Sequence, residues 1–147
     1  MARWNRKELQ AAHDNYVEVA NRSARDGDWR AWADLFTEDA RYVEHHFGRF
    51  EGRQSILDWI STTMAQWPNS EMRSFPHDWC VCDEDRGWWI CQIENRFDDP
   101  GDAKIYQEAN ITILHYAGDM RFSYEEDVYN PAKFGDLVQK WVRASKP

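Results

Sequence analysis

The sequence has no long apolar run and no excess of positive charge, and each absence excludes a class of protein. No apolar run approaches the ~20 residues that a membrane-spanning helix needs, and the N-terminal MARWNRKELQ does not resemble a signal peptide. We therefore expect a cytoplasmic protein with no membrane partner. Lysine and arginine total 18 against 26 aspartate and glutamate residues, which gives a formal net charge of −8. Nucleic acid rewards clustered positive charge, so it is excluded as the main partner.

Cysteine is scarce, and its pattern indicates neither a disulfide framework nor a metal site. The three cysteines are Cys80, Cys82 and Cys91. An odd number in a cytoplasmic chain predicts free thiols. Cys-Val-Cys is not the usual zinc spacing, and no second cysteine or histidine pair follows at a suitable distance. We therefore predict buried, small apolar cysteines, with no metal and no cofactor.

Repeats, linkers and low-complexity tracts are also missing, so the 147 residues are predicted to form one domain, residues 1–147. Aromatic residues, in contrast, make up 15% of the chain, with nine tryptophans and six tyrosines. Large rings with polar edges fill both protein cores and ligand cavities. Their abundance favours a ligand-binding cavity.

The first part of the chain has the 3.6-residue periodicity of helices. A first helix is predicted from about Arg6 to Arg25, and Asp26-Gly27 ends it. A second helix follows the cap Asp28, and a third runs from Arg53 to about Gln66. The buried stripe of the first helix is predicted to be Leu9, Ala12, His13, Tyr16, Val19, Ala20 and Ser23. That of the second is Trp29, Trp32, Ala33 and Phe36.

The stretch from Glu38 to Ile56 organises the chain, because it joins these helices through a β-hairpin. A strand is predicted over Ala40–Phe47, and two glycines bracket a short second strand. Alternate residues of a strand share a face, so Ala40, Tyr42, Glu44 and His46 point the same way. A face that is apolar at one end and ionisable at the other is typical of a lined pocket.

The second half is predicted to be almost entirely strand, arranged as two antiparallel hairpins before a short terminal helix at Asn130-Pro131. The predicted strands are Arg73–Cys82, Trp88–Phe97, Ile105–Tyr116 and Met120–Tyr129. Helices followed by a meander of strands predict an α+β fold.

GDWRAWADLFTEDARYVEHHFGRFEGRQSI, followed by two long hairpins, resembles the nuclear transport factor 2-like superfamily. In particular it resembles the SnoaL-like branch, with polyketide cyclases, ketosteroid isomerases and scytalone dehydratase-type enzymes. The resemblance implies a cone-shaped, curved antiparallel sheet wrapped around three N-terminal helices, with a short C-terminal helix. It also implies an apolar cavity and a homodimer formed through the sheet.

The resemblance implies several site residues. Glu44 occupies the place of the isomerases' carboxylate base, although a solvated strand end explains it equally well. His46 shares its face and is either catalytic or a surface histidine. Tyr16 lies one turn before the position of the isomerases' oxyanion-stabilising tyrosine, and is otherwise a core residue. Asn110 and Thr112 lie on the strand that carries the second oxyanion donor.

His77 lies near the catalytic histidine of the dehydratase-like members. If the following turn is centred between Asp85 and Arg86, His77 lies opposite Glu94, and Trp79 lies opposite Gln92. A carboxylate beside an imidazole sets its tautomer and raises its basicity. The alternative is an ordinary cross-strand polar pair. The same register places Cys80 beside Cys91.

Two function classes remain open. The first is a cofactor-independent lyase, isomerase or cyclase that acts on a hydrophobic cyclic small molecule by acid–base proton transfer in an apolar cavity. The second is a non-catalytic module that binds a small ligand or a partner with the same cone. Ionisable groups clustered inside the cavity favour the first class.

Overall fold

Three helices with an inserted β-hairpin precede the long strands, and a short helix follows them, as predicted, in a computed structural model that describes residues 1–147. The helices are α1 (Arg6–Asp26), α2 (Arg30–Ala33), α3 (Arg53–Ala65) and α4 (Pro131–Ala144), with a 3-10 turn at Asn69–Glu71. The strands are β1 (Phe36–Glu44), β2 (Gly48–Glu51), β3 (Met72–Ser74), β4 (His77–Asp83), β5 (Trp88–Phe97), β6 (Gln107–Gly118) and β7 (Arg121–Val128).

The long helix α1 has the predicted bounds and the predicted buried face. The Asn5 side chain accepts a hydrogen bond from the Glu8 backbone N–H, 2.9 Å away, and so caps the first turn. Gly27 ends the helix with φ +73°, a conformation that glycine adopts without a Cβ clash. All seven residues of the predicted stripe are buried, which confirms the prediction.

The strands form one curved, mixed sheet with the order β2-β1-β7-β6-β5-β3, and β4 also pairs with β5. The predicted α+β fold is confirmed, but the sheet differs from the predicted antiparallel one at a single pairing. β1 and β7 run parallel. Most of the chain separates these two strands, so no tight turn forces them into an antiparallel arrangement.

The start of the sheet also differs from the prediction. β1 begins at Phe36, which pairs with Phe122 of β7, so the strand starts earlier than Ala40. The second helix is correspondingly reduced to α2. His46 and Phe47 lie in the turn after β1 rather than in the strand.

The strand predicted over Arg73–Cys82 is split into β3 and β4. Pro76 lies in the gap, has no backbone N–H and cannot donate to a sheet ladder. Its carbonyl instead accepts a hydrogen bond from the Glu94 N–H, 2.8 Å away. The register shifts by one residue between His77 and Cys80, so His77 pairs with Ile93. The predicted pairing of His77 with Glu94 is therefore wrong, whereas Cys80 pairs with Cys91 as predicted.

Two apolar clusters hold the helices to the sheet. The larger contains 20 buried residues and joins α1, α2 and α3 to the inner face of the sheet. The smaller contains Phe97, Leu137 and Trp141 and anchors α4. All three cysteines are free, as predicted. No helix combines the length and apolar character needed to cross a membrane.

Candidate functional site

A cavity of about 380 Å³ lies between the helices and the inner face of the sheet. Of its 27 lining residues, 15 are hydrophobic, so most of a bound ligand would contact apolar surface. No arginine or lysine lines it. Its aromatic wall includes Trp29, Trp32, Trp59, Phe75 and Phe134.

One wall of the cavity is polar, and the register of three strands assembles it. In the parallel β1–β7 pair, Tyr42 lies beside Glu125 and Glu44 lies beside Asp127. In the antiparallel β6–β7 pair, Thr112 lies opposite Asp127. Side chains at directly paired positions of a sheet are close enough to interact. The sheet therefore brings three carboxyl groups to one side of the cavity.

Glu125 is the most deeply buried of these carboxyl groups, with 1% of its surface exposed. The Tyr16 hydroxyl on α1 donates to Glu125 Oε1, 2.6 Å away. The other oxygen, Oε2, is buried and has no hydrogen-bond partner. Burial, followed by the nearby charge of Asp127, raises the pKa of Glu125 well above its ordinary value. Burial therefore favours the protonated, neutral form of Glu125.

Asp127 has more hydrogen-bond donors than Glu125. Thr112 Oγ1 donates to Asp127 Oδ1 over 2.7 Å, and Asn110 Nδ2 donates to the same oxygen over 3.1 Å. The Tyr42 hydroxyl donates to Asp127 Oδ2. Burial raises the pKa of Asp127 to about 6, although the hydrogen bonds from Tyr42 and Thr112 oppose that rise. Asp127 is mostly ionised at pH 7.

The Tyr42 hydroxyl also contacts Glu125 Oε1 at 3.1 Å. A tyrosine hydroxyl carries one proton, so Tyr42 cannot donate to both carboxyl groups at once. Tyr42 makes its shorter contact with Asp127 and donates its proton there. Its ring therefore links the two carboxyl groups, one with a free oxygen and the other held by several donors, an arrangement suited to acid–base chemistry.

Glu44 and His46 lie on the cavity lining where β1 ends. Glu44 is buried, and its Oε2 accepts hydrogen bonds from the backbone N–H groups of His46 and Phe47. Glu44 thus stabilises the β1–β2 turn as well as facing the ligand space. The His46 ring is exposed and contacts the Phe47 ring, with their centroids 4.8 Å apart.

His77 lines the cavity, but its predicted companions Glu94, Trp79 and Gln92 do not. Gln92 Nε2 donates to Glu94 and to Asp78, each over 3.3 Å. The expected ligand-facing position of these residues is wrong. Gln92 and Glu94 alternate on β5 with the buried Cys91 and Ile93, so they lie on the outer face of that strand. Trp79 is 45% exposed.

Tyr16, Asn110 and Thr112 line the cavity on the polar wall. Tyr42, Glu125 and Asp127 were not among the predicted site residues. A signal for them was present, because Tyr42 alternates with Glu44, and Glu125 alternates with Asp127, so each pair shares one face of its strand. What the sequence did not indicate was the parallel contact of β1 with β7.

A family profile described as a SnoaL-like domain matches residues 3–125. No protein of curated function matches the chain in sequence. Among solved structures, a protein from Bacillus subtilis provisionally named an isomerase is similar, with 17% identity, coverage of 95% of each chain and a TM-score of 0.68. A protein from Xanthomonas campestris provisionally named a polyketide cyclase has 15% identity and a TM-score of 0.65, over 90% of this chain and 98% of that chain.

A third similar structure comes from Catenulispora acidiphila and is a hypothetical protein with a ketosteroid isomerase-like fold. It is in complex with trimethylamine. Its identity is 18% and its TM-score 0.61, over 78% of this chain and 85% of that chain. At these identities the likeness establishes the fold alone.

Proposed function

Since the chain belongs to the SnoaL-like family, we propose that it is a cofactor-independent lyase, isomerase or cyclase acting on a neutral, hydrophobic cyclic ketone or alcohol. The observation that carries this proposal is the pairing of carboxyl groups on the polar wall. Glu125 is a buried acid with one unpartnered oxygen, and Asp127 is an ionised base linked to it through Tyr42.

Each group has a distinct role in the proposed proton transfer. Asp127 removes a proton from the carbon next to a substrate carbonyl. Glu125, protonated on Oε2, donates a hydrogen bond to the carbonyl oxygen as negative charge develops there. Tyr16 holds Oε1 and is a positioning residue. The resulting enolate can be reprotonated at another carbon, expel a β-hydroxyl group as water, or attack a second carbonyl to close a ring.

The substrate class follows from the lining of the cavity. Aromatic side chains favour a flat or cyclic apolar body. Because the lining has carboxyl groups and no arginine or lysine, an anionic ligand would meet repulsion without a countercharge. Trp59 Nε1 is also buried without a partner on this lining, and it offers a second donor to a ligand oxygen.

Exchange of carbon-bound protons tests the proposal without knowledge of the natural substrate. A panel of neutral cyclic ketones in D2O is followed by NMR with and without protein. We expect protein-dependent exchange next to the carbonyl, lowered about 10²- to 10⁴-fold by Asp127→Asn and at least about tenfold by Glu125→Gln.

Glu126→Gln is the matched control, because Glu126 is adjacent on β7 but does not line the cavity, and it pairs with His45 over 2.7 Å. This variant should exchange protons like the wild type. An exchange rate that is equal in the wild type and Asp127→Asn would contradict the proposed base.

The second candidate is a non-catalytic module that binds a small organic cation. An acidic cavity with Trp29, Trp32 and Trp59 suits a quaternary or tertiary ammonium group, which aromatic faces attract. The similar structure from Catenulispora acidiphila, which is in complex with trimethylamine, supports this alternative.

Calorimetry with two probes separates the candidates. The enzyme proposal predicts that 2-naphthol, which resembles an enolate in shape and oxygen position, binds better than tetramethylammonium. It also predicts that Glu125→Gln weakens naphthol binding. Tight tetramethylammonium binding without any proton exchange would favour the binding module.

A further inference from the structure

At one edge of the cavity, two histidines and a cysteine from three different elements converge. They are His13 of α1, His77 of β4 and Cys91 of β5, and one ligand atom from each lies within 4.8 Å of the others. We propose that these three residues form a binding site for a thiophilic metal ion with a filled d shell, Zn²⁺ or Cu⁺. The site shares no residue with the carboxyl network.

The distance between the two buried donors matches metal coordination. His13 Nε2 lies 3.5 Å from Cys91 Sγ. A zinc ion with bonds of about 2.0 Å to nitrogen and about 2.3 Å to sulfur, at a tetrahedral angle, separates those atoms by about 3.5 Å. The two donors are therefore already spaced for a shared ion, with Cys91 held by β5 and His13 by α1.

His77 supplies the third donor, and its unpartnered nitrogen is a second, independent indication of a ligand at this site. Its Nε2 is buried and makes no hydrogen bond, a state that is rare for buried polar atoms. The His77 and His13 ring centroids are 4.6 Å apart. His77 precedes the β4 bulge, so its side chain lies beside α1 instead of meeting Glu94.

The neutral state of both histidines favours metal binding. Burial, followed by the neighbouring His77, lowers the pKa of His13 to about 3, and burial also lowers the pKa of His77. Both imidazoles are therefore neutral at pH 7, which is the form that binds metals. Burial raises the pKa of the Cys91 thiol, so binding must release one proton as the metal–sulfur bond forms.

The donor types select the metal, and a surface groove provides access. Nitrogen and thiolate donors suit Zn²⁺ and Cu⁺, whereas Mg²⁺ and Ca²⁺ prefer oxygen. A groove lined by Gln10, Asp14 and Trp79 leads from the surface to His13 and His77. The Asp14 carboxylate at this groove offsets the metal's charge. The absence of a metal site was predicted from the spacing of the cysteines alone. That spacing does not reveal which residues of three separate elements meet in the fold.

Metal titration of the reduced protein, with Zn²⁺ alone and, under anaerobic conditions, Cu⁺ alone, tests the proposal. Competition with a chromophoric chelator should show one equivalent of metal bound at micromolar protein. The ion that the protein withdraws more effectively from its chelator is the preferred ion. Co²⁺ substitution should produce a thiolate-to-metal charge-transfer band. Binding should release one proton, measured in a weakly buffered solution.

Three variants locate the site. His77→Ala, on the accessible side, should weaken binding at least about tenfold while the fold is retained by circular dichroism, and Cys91→Ser should abolish the charge-transfer band. Cys82→Ser is the matched control and should bind like the wild type. Absence of one-equivalent binding, or binding unaffected by both His77→Ala and Cys91→Ser, would overturn the proposal.

Discussion

Glu125 and Asp127 lie two positions apart on β7, and both face the cavity because alternate residues of a strand share a face. They nevertheless have different protonation states. Asp127 receives three side-chain donors, and these stabilise its charge. Glu125 receives fewer and has an unpartnered oxygen. Burial raises the pKa of both carboxyl groups, and the larger number of donors around Asp127 favours its role as the base.

The raised pKa of Asp127 predicts a specific pH dependence of stability. The folded protein holds this proton up to about pH 6, while the unfolded chain releases it near pH 4. The folded state therefore binds more protons between these values, and the free energy of unfolding falls as pH rises through that window. Across this window the free energy of unfolding should fall by about 3 kcal/mol, because each unit of pKa difference corresponds to about 1.36 kcal/mol.

Asp127→Asn should remove this part of the pH dependence, so urea denaturation from pH 4 to 7 should show a flatter profile for the variant than for the wild type. The outer-face variant Glu126→Gln provides the control. Its carboxyl group has a lowered pKa, so it contributes stability that is lost on acidification and cannot mimic the effect. Parallel profiles for the wild type and Asp127→Asn would contradict the assigned pKa.

At the scale of single elements, the turn between β4 and β5 depends on a glycine. Gly87 has φ +71°, and a Cβ built on it would lie 2.6 Å from the Trp4 ring and 3.3 Å from the Tyr116 carbonyl oxygen. Its carbonyl also accepts a hydrogen bond from the Tyr116 N–H, 2.8 Å away. The residue must therefore be small and must tolerate a left-handed conformation.

Gly87→Ala is expected to lower the free energy of unfolding by about 2 kcal/mol or more, because backbone strain and the contact with Trp4 add. Gly135→Ala is the matched control: Gly135 lies within α4, and its added Cβ would meet nothing within 4 Å. The free energy of unfolding of that variant should rise by about 0.5–1 kcal/mol, because alanine has the higher helix propensity. Chemical denaturation measures both, and a Gly87→Ala variant as stable as the wild type would refute the expectation.

The elements also explain how much of the fold could be predicted from the sequence. Local signals were sufficient for α1, whose seven stripe residues are all buried, and for β5, whose bounds match the prediction. Tertiary contacts decided the rest. The pairing of Phe36 with Phe122 lengthened β1, and the hydrogen bond from the Glu94 N–H to the Pro76 carbonyl accompanied the bulge that moved His77. The shift of one residue changed the partner of His77 to Ile93, and Glu94, which alternates with the buried Ile93, lies on the outer face of β5.

The candidate site, like the fold, could be predicted only in part from the sequence. Tyr16, Glu44 and Asn110 were selected from the family resemblance, and the structure places them on the cavity. Glu125 and Asp127 depend on the parallel contact between β1 and β7, which no local pattern specifies. The metal-site proposal has the same physical origin, because its three donors meet only after α1 packs on the sheet.

At the scale of the whole molecule, the helices cover one face of the sheet and leave the other without cover from this chain. On the outer face, three stacked rings cross neighbouring strands. The ring centroids of Trp88 and His115 are 4.7 Å apart, and those of His115 and Tyr124 are 4.4 Å apart. Ile111 and Ile113 lie on the same face of β6, and both are only partly buried in this chain.

We expect this outer face to join two copies of the chain, because stacked aromatic rings and isoleucine side chains on one sheet face are costly to leave in water. Light scattering at micromolar concentration should give the mass of a dimer, and Ile113→Lys should shift it to a monomer while the far-ultraviolet circular dichroism is unchanged. Ile105→Lys is the matched control, since Ile105 is 68% exposed and precedes β6. A wild-type monomer would contradict the prediction, and a dimer that survives Ile113→Lys would place the interface away from this face.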